Sequence, residues 1–180
     1  MISLHDKSFQ PFISRDQIRE RVAELGRAIS EDYGTMRPLI LAILNGSFVF
    51  AADLFRSLSI DAEISFIKLA SYHGTSSTGN VVTALGLNEN LSGRHIIIVE
   101  DIIDTGKTLS SFLPSLQLHE PASVKIATFL SKPSALVHNI TADYTGFEIP
   151  DQFVVGYGLD YDGLGRNIPD LYTLIPEVFQ

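Results

Sequence analysis

Three short apolar runs, "LILAIL" (39–44), "HIIIVE" (95–100) and "VKIATFL" (124–130), constrain the fold of this chain more than any other feature. Each has strand length and little polar character on either face, as a strand buried on both sides requires. Between them lie segments that read as helices, "FVFAADLFRSL" and "TLSSFLPSLQL". Strands rich in β-branched residues, alternating with helices, imply an α/β fold around a mostly parallel twisted sheet flanked by helices. In such sheets ligands bind beyond the carboxyl ends of the strands.

The flanking segments fit this frame. "SRDQIRERVAELGRAISEDYG" reads as an amphipathic helix: Ser14 and Gln17 form a capping box, and Ile18, Val22, Leu25 and Ile29 share one stripe. Gly34 is its expected stop. "AEISFIKLA" alternates as a half-buried strand, "SYHGTSSTGN" is a polar loop, and "VVTALGLNENLSGR" carries weaker strand and turn signals. "QFVVGYGLDY" and "DLYTLIPEV" supply later strands. Pro114, inside the second helical segment, predicts a kink or an early end, because it removes a backbone donor and crowds the preceding turn. With no repeat, linker or low-complexity tract, the 180 residues read as a single domain, 1–180.

Composition excludes several classes. There is no cysteine, hence no disulfide, thiolate metal site or cysteine nucleophile. A net charge of -8 argues against a nucleic-acid partner. No apolar run approaches the roughly 20 residues that span a bilayer. "MISLHDKSFQPFISRDQ" lacks the pattern of a signal peptide. The expectation is a soluble cytoplasmic protein with no membrane partner.

The chemistry concentrates in "IIIVEDIIDTGKTL" (96–109). An apolar strand runs into Glu100 and Asp101, then a turn with Asp104, Thr105 and Gly106, then Lys107 and Thr108 opening a helix. Gly106 lets backbone approach a ligand, and free amides at the helix start, with the two threonine hydroxyls, form a cradle for phosphate. Carboxylates beside a phosphate must face something else, either vicinal sugar hydroxyls or a divalent cation. The stretch is not a nucleoside-triphosphate P-loop, since the first glycine of that motif falls on Asp101. A phosphorylated ribose fits both ends of the seat.

"VEDIIDTGKTL" resembles the phosphoribosyl pyrophosphate motif of type I phosphoribosyltransferases, in the form found in the hypoxanthine-guanine phosphoribosyltransferase family. The resemblance covers most of the chain from about Pro38 onward. It implies the type I phosphoribosyltransferase fold with a small hood subdomain. The implied reaction transfers phosphoribosyl from phosphoribosyl pyrophosphate to a 6-oxopurine with Mg²⁺, and the implied assembly is a homodimer or homotetramer.

The family roles carry over residue by residue. Glu100, Asp101, Asp104, Thr105, Gly106, Lys107 and Thr108 would hold ribose 5-phosphate. Asp104 would exchange a proton with N7 of the base. Asn45 and Gly46, in "LNGSF", match the loop that holds pyrophosphate through backbone amides. Ser71 and Tyr72 match the pair in the closing loop, and Arg166 would reach pyrophosphate. Lys132 would meet the exocyclic oxygen of the purine; an ammonium only donates, so it suits a 6-oxo group and not a 6-amino group. Phe153 would stack on the base and Val154 would contact its edge through backbone. Glu100, Asp101 and Asp160 would organise metal.

Two positions depart from the family pattern. Asn45 stands where the family usually has lysine, and Leu136 where it commonly has arginine. Both remove a positive charge from the pyrophosphate side. The competing reading is a regulator of the same fold that binds phosphoribosyl pyrophosphate or nucleotide without useful catalysis. An adenine- or orotate-specific transferase conflicts with the Lys132 and Phe153 segments.

Overall fold

The computed structural model describes residues 1–70, 82–85 and 90–176. Strands β1 (Ile2–Leu4) and β2 (Lys7–Ile13) precede helix α1 (Arg15–Tyr33). Next come β3 (Leu39–Leu44), α2 (Phe48–Ser57), β4 (Glu63–Ala70), β5 (Val82–Leu85) and β6 (His95–Ile103). Then follow α3 (Lys107–Gln117), β7 (Ser123–Ser131), β8 (Tyr144–Glu148), β9 (Val154–Val155) and β10 (Leu171–Leu174).

One sheet has the order β5-β4-β3-β6-β7-β8. Its neighbours from β4 to β8 are parallel, and β5 is antiparallel at the edge. The apolar runs lie at its centre, and side-chain alternation divides them between two cores. Ile40, Ala42, Ile97, Val99 and Phe129 face a cluster with Ile18, Val22, Leu25 and Ile29 of α1 and Phe50 and Leu54 of α2. Leu39, Leu41, Ile43, Ile96 and Ile98 face Leu109, Phe112 and Leu116 of α3. Burying each such side chain contributes roughly 1.5–3 kcal/mol before conformational entropy is counted.

The helix ends follow their local chemistry. Ser14 caps α1 with the expected capping box: its side chain accepts from the Gln17 amide while Gln17 Oε1 accepts from Ser14 N at 3.0 Å. Gly34 ends the helix at φ 51°. Helix α3 passes through Pro114 and ends three residues later, at Gln117. Pro114 is exposed while Leu109, Phe112 and Leu116 are buried. The lost backbone bond therefore falls on the hydrated side, and the apolar face holds the last turn in place.

A second, antiparallel sheet has the order β1-β2-β10-β9. It is the hood, and it joins the chain's beginning to its end: Phe9 pairs with Leu174 and Ile13 with Leu171. The stretch expected as a strand over "QFVVGYGLDY" is a strand only at Val154–Val155. Beyond it the backbone turns sharply, with positive φ at Gly156, Tyr157 and Gly158.

The crossovers through α2 and α3 define where a ligand belongs. From β3 the chain crosses through α2 to β4 on one side; from β6 it crosses through α3 to β7 on the other. Strands β3 and β6 are adjacent, so the connection order reverses between them. A crevice opens at the carboxyl ends of strands at such a switch point. Asn45-Gly46 follows β3, and the tip of β6 with its turn lies beside it.

Candidate active site

Strand β6 is longer than its apolar run suggests. It continues through Glu100 and Asp101 to Ile103, pairing Glu100 with Thr128 and Ile103 with Ser131 of β7. The two acids are thus fixed by a ladder and do not begin a loop. Glu100 is buried, and its Oε2 has no hydrogen-bond partner among the described residues. Burial, then the neighbouring Asp101, pushes the Glu100 carboxyl well above the usual carboxylate range. Burial also raises the Asp101 carboxyl, opposed by the Ile102 amide at 2.9 Å and by nearby Arg166.

The turn after β6 is built for close approach. Gly106 adopts φ 78° at the N-cap of α3 and has no side chain of its own to cap the helix. The Lys107 amide at the start of α3 donates to Thr105 Oγ1 at a long 3.4 Å, and the helix dipole adds positive potential there. A cavity of about 230 Å³ is lined by residues 100–109. Asp104, Thr105, Lys107 and Thr108 are exposed around it. The outer side of the turn is braced, because Val137 and His138 amides donate to the Thr105 carbonyl at 3.1 and 3.0 Å. A side chain at position 106 would press on the His138 carbonyl at 3.1 Å, so glycine serves both conformation and space.

Asn45 and Gly46 close the crevice from β3. The Leu44-Asn45 peptide bond is cis, and Asn45 is exposed. Gly46 is buried directly against the Asp101 carboxylate, and its carbonyl lies against Gly158 of the hood. Gly158 in turn accepts a hydrogen bond from Arg166 Nη1 at 2.7 Å, while Arg166 Nη2 pairs with Asp160 Oδ1 at 2.7 Å. Asp160 also accepts from the Gly163 amide at 2.8 Å. Asn45, Gly46, Asp101, Asp160 and Arg166 are therefore gathered at one end of the crevice.

At the other end, Lys132 follows β7 and is buried, its amide donating to the Ile103 carbonyl at 2.9 Å. Its ammonium lies 3.4 Å from Asp104 Oδ2 and 3.2 Å from Asp151 Oδ1. Phe153 is 45% exposed, which leaves its ring open as a stacking surface. Its carbonyl accepts from Leu174 N at 2.9 Å. Across the trans peptide, the Val154 amide must then point away from β10, at the free edge of the hood sheet. Ser71 and Tyr72 lie outside the described residues.

Known proteins resemble this chain along almost its whole length. Residues 14–162 match the phosphoribosyl transferase domain family. The chain is 44% identical over 168 residues to a hypoxanthine-guanine phosphoribosyltransferase of Streptococcus pneumoniae, covering 93% of each protein. A Bacillus subtilis protein of the same name is 41% identical over 169 residues, 93% of this chain and 94% of that one. A crystal structure of a hypoxanthine-guanine phosphoribosyltransferase from Bacillus anthracis superposes with TM-score 0.87 at 39% identity, over 94% of this chain and 99% of that one. The chain belongs to the hypoxanthine-guanine phosphoribosyltransferase family.

Within that family frame, the two departures occupy distinct places. Asn45 is exposed beside the buried Gly46, and its carbonyl accepts from the Phe48 amide at 3.3 Å. Leu136 is an exposed residue in the segment after Lys132, next to the amides that brace Thr105. Sequence reasoning missed Asp151 altogether. Its only signal was an acid two residues before Phe153 in "IPDQF", which means nothing until Lys132 is brought beside it.

The acids also bear on a metal. Among the described residues no group of three or more Asp, Glu or His converges as a self-sufficient cation cage. Mg²⁺ keeps several waters and is bound through one or two carboxylates plus substrate phosphates. The unpartnered Glu100 Oε2 and the adjoining Asp101 carboxylate are a donor set of that kind.

Proposed function

We propose that this protein is a purine-salvage transferase acting on phosphoribosyl pyrophosphate and a 6-oxopurine. It joins hypoxanthine, and also guanine, to the ribose and releases pyrophosphate, forming IMP or GMP. The observation that carries this reading is the pairing of a phosphate seat at the β6 tip with a buried Lys132 ammonium 3.4 Å from the Asp104 carboxylate. The seat accounts for the activated sugar and the ammonium for the 6-oxo group.

In this reading Thr105, Gly106, Lys107 and Thr108 hold the 5′-phosphate, and Glu100 and Asp101 take the ribose hydroxyls. Backbone at Asn45 and Gly46, with Arg166, receives the pyrophosphate, and Ser71 and Tyr72 close over it. Phe153 stacks on the purine, the Val154 backbone meets its edge, and Lys132 donates to its exocyclic oxygen. The bond to C1′ breaks with oxocarbenium character, so negative charge builds on the departing group. Mg²⁺ bound through Glu100, Asp101 and Asp160 would neutralise that charge. Asp104 exchanges a proton with N7 as the new bond forms. Water competes as a nucleophile, which gives the closing loop its purpose.

The acting form in this reading is a homodimer or homotetramer in the cytoplasm. No helix among the described residues is long and apolar enough to cross a membrane. The test is nucleotide formation from labelled hypoxanthine, phosphoribosyl pyrophosphate and Mg²⁺, beside a nucleic-acid shift assay. IMP with released pyrophosphate is the expected product. Absence of nucleotide, with retention of nucleic acid, would instead favour a regulator.

A further inference from the structure

A buried ammonium needs a counter-charge, and Lys132 has two. Its side chain is 9% exposed, and its Nζ lies 3.2 Å from Asp151 Oδ1 and 3.4 Å from Asp104 Oδ2. The acids approach from different parts of the fold. Asp104 lies beyond the β6 tip, while Asp151 lies in the turn between β8 and β9, two residues before Phe153. That turn is tied down beside Lys132, since the Ile149 amide donates to the Ser131 carbonyl at 2.8 Å.

We propose that Asp151 is a positioning residue for base recognition: it is the standing counter-ion that keeps the Lys132 ammonium aimed at the purine while Asp104 leaves to work at N7. The inference rests on the transferase reading above and deepens it. An ammonium has three donors. Two are engaged by the carboxylates, which leaves one for the 6-oxo group. Were Asp104 the only partner, its two duties would conflict. Holding Lys132 would keep its carboxylate from N7, and turning to N7 would strand a buried cation without a counter-charge. Asp151 removes the conflict, and its contact is the shorter of the two. An exposed aspartate near a lysine is ordinarily a surface pair of little consequence. Here only the aspartate is at the surface, because its side chain is 64% exposed against 9% for the lysine.

The test is a double-mutant cycle with Asp151→Asn, Lys132→Ala and the pair combined, read with hypoxanthine and guanine. Asp151→Asn should raise KM for both bases about tenfold, as expected when a desolvated charge loses a partner. It should lower kcat several-fold and leave KM for phosphoribosyl pyrophosphate within about twofold. Asp151→Glu should restore most of the efficiency, and Tm should not move. On the Lys132→Ala background, Asp151→Asn should add little, because the two act as a unit. Full efficiency in Asp151→Asn, or a loss that persists undiminished without Lys132, would overturn the assignment. If the unaltered protein makes no nucleotide, the transferase reading falls separately. The same cycle read as Kd for IMP by calorimetry then decides Asp151: coupled losses support it, and equal affinities sink it.

Discussion

Gly46 and Asp101 share one space: the Asp101 carboxylate stands where a β-carbon on Gly46 would be. The contact joins the loop after β3 to the tip of β6 across the switch point. Gly46 is not among the residues with positive φ. An alanine there would thus clash without straining its own backbone.

Gly46→Ala should therefore displace Asp101 and lower kcat/KM for phosphoribosyl pyrophosphate by about 10²-fold, the usual cost of moving a reacting group by an ångström. Steady-state kinetics beside a thermal melt checks this. Activity within a few-fold of the parent would mean that the contact does not set the geometry.

Asp104→Asn keeps the shape of the turn and removes the proton acceptor. Turnover should fall about 10²–10⁴-fold, the usual contribution of a general acid or base. KM for phosphoribosyl pyrophosphate should barely change, because the amides of the seat are intact. Unaltered turnover would take Asp104 out of proton transfer.

Phe153 has Phe9 and Tyr161 as ring neighbours, at 6.4 and 5.8 Å between centroids, and remains 45% exposed. Phe153→Ala should raise KM for the purines about tenfold, in keeping with the roughly 1–3 kcal/mol that stacking a base on an aromatic contributes. Loss of that ring should lower Tm only slightly, since it is not core. Kinetics and a melt on one preparation separate the two effects.

A pH-dependent stability term lies at the opposite end of the sheet. Asp32 Oδ2 accepts from Tyr144 OH at 2.6 Å and from Lys125 Nζ at 3.1 Å. The tyrosine hydroxyl, then the lysine, holds the Asp32 carboxyl below its ordinary value of 3.8. The folded state then binds this proton less readily than the unfolded chain does. The stabilisation is present above about pH 4 and is lost as pH falls through the lowered value. The Asp32 side chain is 50% exposed, so solvent screening keeps the contribution near 0.5–1 kcal/mol. Asp32→Asn should lower Tm by about 1–4 °C at pH 7 and by progressively less as the solution is acidified below pH 4. A difference that persists in acid would point to packing.

What the sequence disclosed depended on how local the cause was. The capping box of α1, the central strands and the β6 turn are written in contiguous residues, and each could be read directly. Strands β1, β2 and β8 were not read at all. β1 has only three residues, β2 contains Pro11, and β2 is held by β10 from the far end of the chain. The pairing of Lys132 with Asp151 was equally hidden, because it arises where the turn after β8 folds back on β7. Pro114 was legible too, since α3 ends three residues beyond it, at Gln117.

The measurement that bears most directly on the account is catalytic efficiency with phosphoribosyl pyrophosphate for hypoxanthine, guanine, xanthine and adenine under one set of conditions. Hypoxanthine and guanine should be used well and xanthine poorly. Adenine should be disfavoured by about 10⁴-fold or more, because Lys132 would face a group that cannot accept its hydrogen bond. Comparable use of adenine, or no pyrophosphate release with any base, would contradict it.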